Sequence, residues 1–202
     1  KSAFTPLMMA SYKSKKDFVE LLLKYGADVN LQNDIGDTAL INAVHSGNVE
    51  IVKLLLEYGA NTEIRQKDGD TALMILCIEC DDMIVSVEIA SLLLKYGADI
   101  NKRAIDSISA LYLAVESENV EITKLLLENG ADINFKYINP NATILHIASK
   151  VGNIDIIKLL LDKGVDINIE NEEKFTPLNI AIFCNKIDTV KFLIKNGASI
   201  NK

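Results

Sequence analysis

A three-residue motif returning at a near-constant interval restricts this chain more than any other feature it carries. It reads Thr5-Pro6-Leu7, Thr38-Ala39-Leu40, Thr71-Ala72-Leu73, Ser109-Ala110-Leu111, Thr143-Ile144-Leu145 and Thr176-Pro177-Leu178, at spacings of 33, 33, 38, 34 and 33 residues. A second motif, Gly-Ala-Asp-(Val/Ile)-Asn, begins at Gly26, Gly97 and Gly130, with looser copies from Gly59, Gly164 and Gly197. Self-similarity at such a period marks a stack of small units, none of which can bury its apolar face alone. Six units follow, over approximately residues 1–32, 33–65, 66–103, 104–137, 138–170 and 171–202, and are expected to form a single domain spanning 1–202.

Within a unit the order reads helix, turn, helix, loop. The Thr or Ser of the first motif is placed to cap the first helix, and Pro6 and Pro177 follow where a missing N–H is harmless. That helix ends near Gly47 or Gly152. Asn48, Asn119 and Asn153 then stand where a second N-cap belongs, with Ser86 in that place in the third unit. Ile51, Leu54 and Leu55 make the i, i+3, i+4 stripe of a buried face. Gly26, Gly59, Gly97, Gly130, Gly164 and Gly197 stop the second helix by accepting a left-handed backbone. The polar stretch that follows, such as Gly59 to Thr71, suits a projecting hairpin loop.

The pattern resembles the ankyrin repeat across essentially the whole chain. The best copy runs from Asn33 to Glu63, with Asp34-Ile35-Gly36-Asp37-Thr38-Ala39-Leu40, then Gly47-Asn48-Val49-Glu50, then Leu54-Leu55-Leu56. The signature Thr-Pro-Leu-His-x-Ala is nearest in Thr143-Ile144-Leu145-His146-Ile147-Ala148. The resemblance implies an all-α ankyrin-repeat solenoid of six helix-turn-helix units joined by β-hairpin-like loops. It implies a concave side built from loops and first helices, and a structural hydrogen bond for His146.

Departures from the pattern mark places to inspect. The third unit carries five extra residues, expected around Glu79 to Val85, and has Leu76 where the others have Ala10, Ala43, Ala114, Ala148 and Ala181. Its first helix is therefore expected to be lengthened or shifted. The extra residues read either as a tolerated surface loop or as a partner-binding loop bearing Met83, Ile84 and Val85. The hairpin glycines Gly36 and Gly69 become Ala3, Ser107, Asn141 and Lys174 elsewhere. Lys is strained in a left-handed turn by roughly 1 kcal/mol, so the last hairpin is expected to be less regular. The fifth unit has one extra residue near Asn139-Pro140-Asn141. The sixth still carries Ile180, Ile182, Phe183, Phe192 and Ile194 instead of a polar capping face, so the chain reads as a segment of a longer protein.

Chemistry finds little support. Cys77-Ile78-Glu79-Cys80 has C-x-x-C spacing, but a structural zinc needs about four ligands and no second pair accompanies it. With no thioredoxin-like context either, these read as ordinary helical cysteines. The two histidines have no nucleophile beside them and no Gly-rich phosphate loop is present, so no catalytic residues, cofactor or metal are expected. Asn141-Ala142-Thr143 fits a glycosylation sequon by coincidence, and Asp81-Asp82 and Glu172-Glu173 read as solvated loop charges.

Composition narrows the partner. A net charge of −7 argues against nucleic acid, which needs a basic footprint, and against an anionic membrane surface. No apolar stretch approaches the roughly 18 residues of a membrane span. Three cysteines do not read as a disulfide framework, which fits a reducing, cytoplasmic setting, or a host cell's cytoplasm if the chain is a secreted effector.

The function expected is protein–protein interaction by a monomeric module within a larger intracellular protein. The rival is a targeting arm for an enzyme, effector or channel whose active part lies outside this segment. The resemblance places contacts at hairpin tips and exposed ends of first helices. These are Tyr12 and Lys13 in the first unit, and Asp34, Ile35, Asp37 and His45 in the second. Lys67, Asp68, Asp70, Ile78 and Glu79 follow in the third, Ile105, Asp106, Ile108 and Glu116 in the fourth, and Phe175 and Phe183 in the sixth. Ile35, Ile105, Ile108, Phe175 and Phe183 are candidates for one apolar group, and the acidic tips suit a partner with a basic or apolar segment.

Overall fold

A computed structural model describes residues 4–79, 83–137 and 142–201. By internal contacts the chain falls into two compact units, Lys1–Ile105 and Asp106–Lys202. The first holds three helical pairs: α1 (Pro6–Tyr12) with α2 (Lys16–Lys24), α3 (Ala39–His45) with α4 (Val49–Glu57), and α5 (Ala72–Glu79) with α6 (Met83–Lys95). The second holds α7 (Ala110–Glu116) with α8 (Val120–Glu128), α9 (Ile144–Val151) with α10 (Ile154–Asp162), and α11 (Pro177–Phe183) with α12 (Ile187–Lys195). A 3-10 turn over Ile105–Ser107 falls at the division. The strands among the described residues are two residues each, β1 (Lys136–Tyr137) and β2 (Ala142–Thr143), antiparallel with Lys136 opposite Thr143. The fold is the helical repeat expected.

The capping residues account for where the helices begin. Thr5, Thr38, Ser109 and Thr176 each accept the backbone N–H three residues on, and Asn48, Asn119 and Asn153 do the same for second helices. The core of the first unit is built on Leu7, Leu40, Leu73, Ala10 and Ala43 and that of the second on Leu111, Leu145, Leu178, Ala114, Ala148 and Ala181, all buried. The small alanines let adjacent first helices approach. On the second helices Ile51, Leu55, Ile122, Leu126, Ile156 and Leu160 are fully buried, each contributing about 1.5–3 kcal/mol.

The Gly-Ala-Asp-x-Asn loops have a division of labour. The Asp closes its own turn: Asp28, Asp99, Asp132 and Asp166 each accept the N–H of the Asn two residues on. The Asn reaches across repeats. Asn30 Nδ2 donates to the Gly59 carbonyl at 3.2 Å and its Oδ1 accepts from Asn61 N–H at 2.8 Å.

Two expectations are corrected. Ser86 is not an N-cap; it is fully buried inside α6. The insertion lengthens the second helix of the third repeat, 13 residues in α6 against 9 in α4, while α5 has 8 residues against 7 in α3. The segment from Met83 is thus helix rather than loop, with Ile84 exposed, and Cys80, Asp81 and Asp82 lie outside the described residues.

The last hairpin is also regular. Lys174 adopts φ 67°, and Asn171 N–H donates to the Phe175 carbonyl at 3.0 Å, as Asn33 N–H does to Asp37 at 2.9 Å. Among the described residues, every non-glycine residue with positive φ occupies a place where another repeat has glycine: Ser107 and Lys174 match Gly36 and Gly69, and Ser14, Glu118 and Asn185 match Gly47 and Gly152. The shape of the turn is set by its hydrogen bonds, which outweigh the strain of about 1 kcal/mol. Asn141 lies outside the described residues.

Candidate functional site

The same backbone bond closes the hairpins of the second, third and sixth repeats, from Asn33, Gln66 and Asn171 N–H to the carbonyls of Asp37, Asp70 and Phe175. In the second, Asn33 Oδ1 accepts the N–H groups of Ile35 (3.0 Å) and Asp37 (2.9 Å). Asp34 and Ile35 are left exposed at the tip, as are Lys67 and Asp68 in the next hairpin. Adjacent hairpins touch through their backbones: Lys67 N–H donates to the Ile35 carbonyl at 3.0 Å, and a Cβ on Gly36 would stand 2.8 Å from Gln66 Cα. Gly69 lies equally close to Ile105 N, and the Ile105 side chain is exposed.

Asp37 is placed differently from the exposed tip expected. It is 5% exposed, and its carboxylate accepts from Gln66 Nε2 and, at 3.4 Å, from Asn33 Nδ2. Its first role is to tie one hairpin to the next. Asp70, at the same place one repeat on, is half-buried; burial, helped by the Asp68 charge, raises its pKa above the usual carboxylate value. Ile108 holds the equivalent position and is half-buried, and the side chain of Asp106 lies outside the described residues.

Within each unit, a second row runs through the ends of the first helices. Tyr12, His45, Ile78, Glu116 and Phe183 each stand seven residues after their capping Thr or Ser, two helical turns on. Tyr12, Ile78, Glu116 and Phe183 are exposed and His45 is half-exposed. The residue one place earlier is buried in five repeats, as Ser11, Val44, Cys77, Val115 and Ser149. The Glu79 side chain lies outside the described residues. Lys150 belongs to the same row and was not singled out, although its spacing from Thr143 gave the signal; its Nζ lies 3.7 Å from Glu116 Oε1. Tyr112 Oη donates to that carboxylate at 3.3 Å, and burial together with Glu116 pushes the phenol up to about 12.

Some of these residues meet. Tyr12, Asp37 and His45 line one cavity of about 500 Å³ in the first unit, with Phe4 and Asn42, which the sequence reading missed. Phe175 and Phe183 line another of about 430 Å³ in the second unit, with Glu173, Asn179, Ile180 and Ile182. From the apolar group proposed on sequence, Phe175 and Phe183 are therefore brought together, while Ile35 and Ile105 stand exposed on separate hairpins. Cys77 is buried, its Sγ donates to the Leu73 carbonyl at 3.2 Å, and burial pushes its thiol up to about 12, which leaves it inert. Among the described residues no three His, Cys, Asp or Glu side chains gather as metal ligands. No described helix is long and apolar enough to cross a membrane.

A family model of ankyrin repeats matches residues 7–104, 61–137 and 111–202, which together span nearly the whole sequence. The chain belongs to the ankyrin-repeat family. Among solved structures, it is similar to the ankyrin repeat domain of Bcl-3, described as a unique member of the IkappaB protein family, at 27% identity and a TM-score of 0.84. That match covers 98% of this chain and 89% of the other. No curated protein matches. Ankyrin repeats are protein–protein interaction modules.

Proposed function

We propose that the chain is a monomeric, non-enzymatic binding module acting inside the cell, and that it holds its partner along the hairpin tips and the ends of its first helices. The observation that carries this is the helix-end row. Tyr12, Ile78 and Phe183 face solvent there, although Ser11 and Cys77, the residues beside the first two, are buried, so these side chains contribute little to stacking and are placed for recognition. Stacking preorganises the row, which lowers the ordering cost of binding. The net charge of −7 and the exposed Asp34 and Asp68 favour a partner with a basic segment over nucleic acid or an anionic membrane. The odd cysteine count and the buried Cys77 thiol fit a reducing, cytoplasmic setting.

The test is capture of partners from a lysate of the source cell, with the native chain and an Ile78→Arg/Phe183→Arg variant as baits. Both residues are exposed, Phe183 at 89%, so circular dichroism should show the variant folded. Proteins retained by the native bait and lost from the variant support the assignment. Equal retention by both baits rules this row out as the binding surface.

A further inference from the structure

We infer that the cavity between the first two repeats receives an arginine side chain presented by the partner; this rests on the protein-binding function proposed above. Its floor carries two buried acceptors. Asp37 is 5% exposed and its carboxylate is met by two neutral amides, Gln66 and Asn33, with no cation in salt-bridge reach among the described residues. Each carboxylate oxygen accepts from one neutral amide only, which leaves each a lone pair for a cationic donor, and an ion pair formed in so buried a place is screened less than one at an exposed acid. Asn42 is 2% exposed; its Nδ2 is turned back to the Thr38 carbonyl at 2.8 Å, which leaves Oδ1 as the end available to a ligand.

The walls are aromatic. Phe4 and half-exposed Tyr12 line the cavity, and His45 completes it. The Tyr12 ring already carries one cation, Lys13 Nζ at 5.0 Å from its centroid, while Lys13 makes no ion pair with Asp37. About 500 Å³ is ample for a guanidinium and its stem. Two acceptors and aromatic side chains lining one cavity suit arginine better than lysine, because a planar guanidinium donates in a fork and stacks on aromatic rings, whereas an ammonium is a compact, strongly hydrated point. Exposed Asp34 on the adjoining hairpin extends the negative field towards the basic residues around such an arginine.

The experiment is a ¹H–¹⁵N NMR titration of the 202-residue chain with the blocked tripeptide acetyl-Gly-Arg-Gly-amide, and with analogues carrying citrulline or lysine in place of arginine. Saturable shifts are expected at Tyr12, His45 and the Asn42 side-chain amide, with binding of the citrulline peptide roughly tenfold weaker. Asp37→Asn should remove the preference for arginine over citrulline, and Tyr12→Ala should weaken the arginine peptide by roughly threefold. If Asp37→Asn does not fold, Tyr12→Ala alone decides, since Tyr12 is half-exposed and its loss leaves the stack intact. The inference is overturned if citrulline or lysine binds as well as arginine, or if Tyr12→Ala leaves the affinity unchanged. Shifts confined to Asp34 and Asp68 also overturn it. Any of these results beside an intact, row-dependent partner capture removes the arginine pocket and leaves the binding module standing; loss of that capture as well removes both.

Discussion

His146 Nε2 lies 2.9 Å from the carbonyl oxygen of Phe175, so a single side chain joins the fifth repeat to the sixth. On its other side Nδ1 accepts the Thr143 N–H at 3.2 Å, which places the imidazole proton on Nε2 as donor to Phe175. The neutral ring satisfies both neighbours; the protonated ring would turn a second N–H against the Thr143 N–H, with the Thr143 Oγ1 at 2.9 Å left to accept it. Burial accordingly lowers the His146 pKa, partly opposed by the bond to Phe175.

The pH dependence follows from that direction. In the unfolded chain the imidazole titrates near about 6.5, above its folded value, so between the two the unfolded state binds more protons. This contribution to stability is complete above the unfolded pKa and is lost as pH falls towards the folded one. Urea midpoints measured across that window should decline for the native chain, and the decline should be smaller in His146→Gln. An identical decline in both would show that other groups carry it.

The hairpin glycines and their substitutes should respond in opposite senses. Gly36→Ala adds a Cβ 2.8 Å from the Gln66 backbone at a φ of 92°, and should destabilise by about 2 kcal/mol or more. Lys174→Gly relieves a left-handed lysine in the equivalent turn and should stabilise by about 1 kcal/mol. Chemical denaturation of the two variants reads both numbers. Equal effects of the same sign would contradict the account of the turns.

Ser149 offers a stabilising change in the core. Its hydroxyl is fully buried with no hydrogen-bond partner among the described residues, at a position filled by Val44, Cys77 or Val115 in other repeats. Ser149→Ala should therefore raise stability by about 1 kcal/mol, read as a higher denaturation midpoint. A lower midpoint would mean that the hydroxyl has a partner after all.

The repeat and its caps were legible in the sequence because each depends on a local rule that recurs along the chain. Thr38 and Asn48 cap helices by chemistry that needs only three neighbouring residues. Ser86 fits an N-cap by type, but it lies one turn before Ile89 and Ala90 on the buried face of α6, a placement that only the packing of the helix fixes. Lys174 misled because residue propensity was weighed above the hydrogen bonds of Asn171. Asp37 appeared as a surface tip since its partner, Gln66, lies a whole repeat away. Phe4 and Asn42 were missed for the same reason: only the stack places them opposite Tyr12 and His45.

The most direct measurement is hydrogen–deuterium exchange on the chain alone and bound to a captured partner. The proposed surface predicts slower exchange on binding in the hairpins around Asp34 and Lys67 and at the first-helix ends around Tyr12, His45 and Ile78. Protection confined to the second helices and their ends, near the exposed Tyr25 and Tyr58, would place the partner on the other side of the repeats and contradict it.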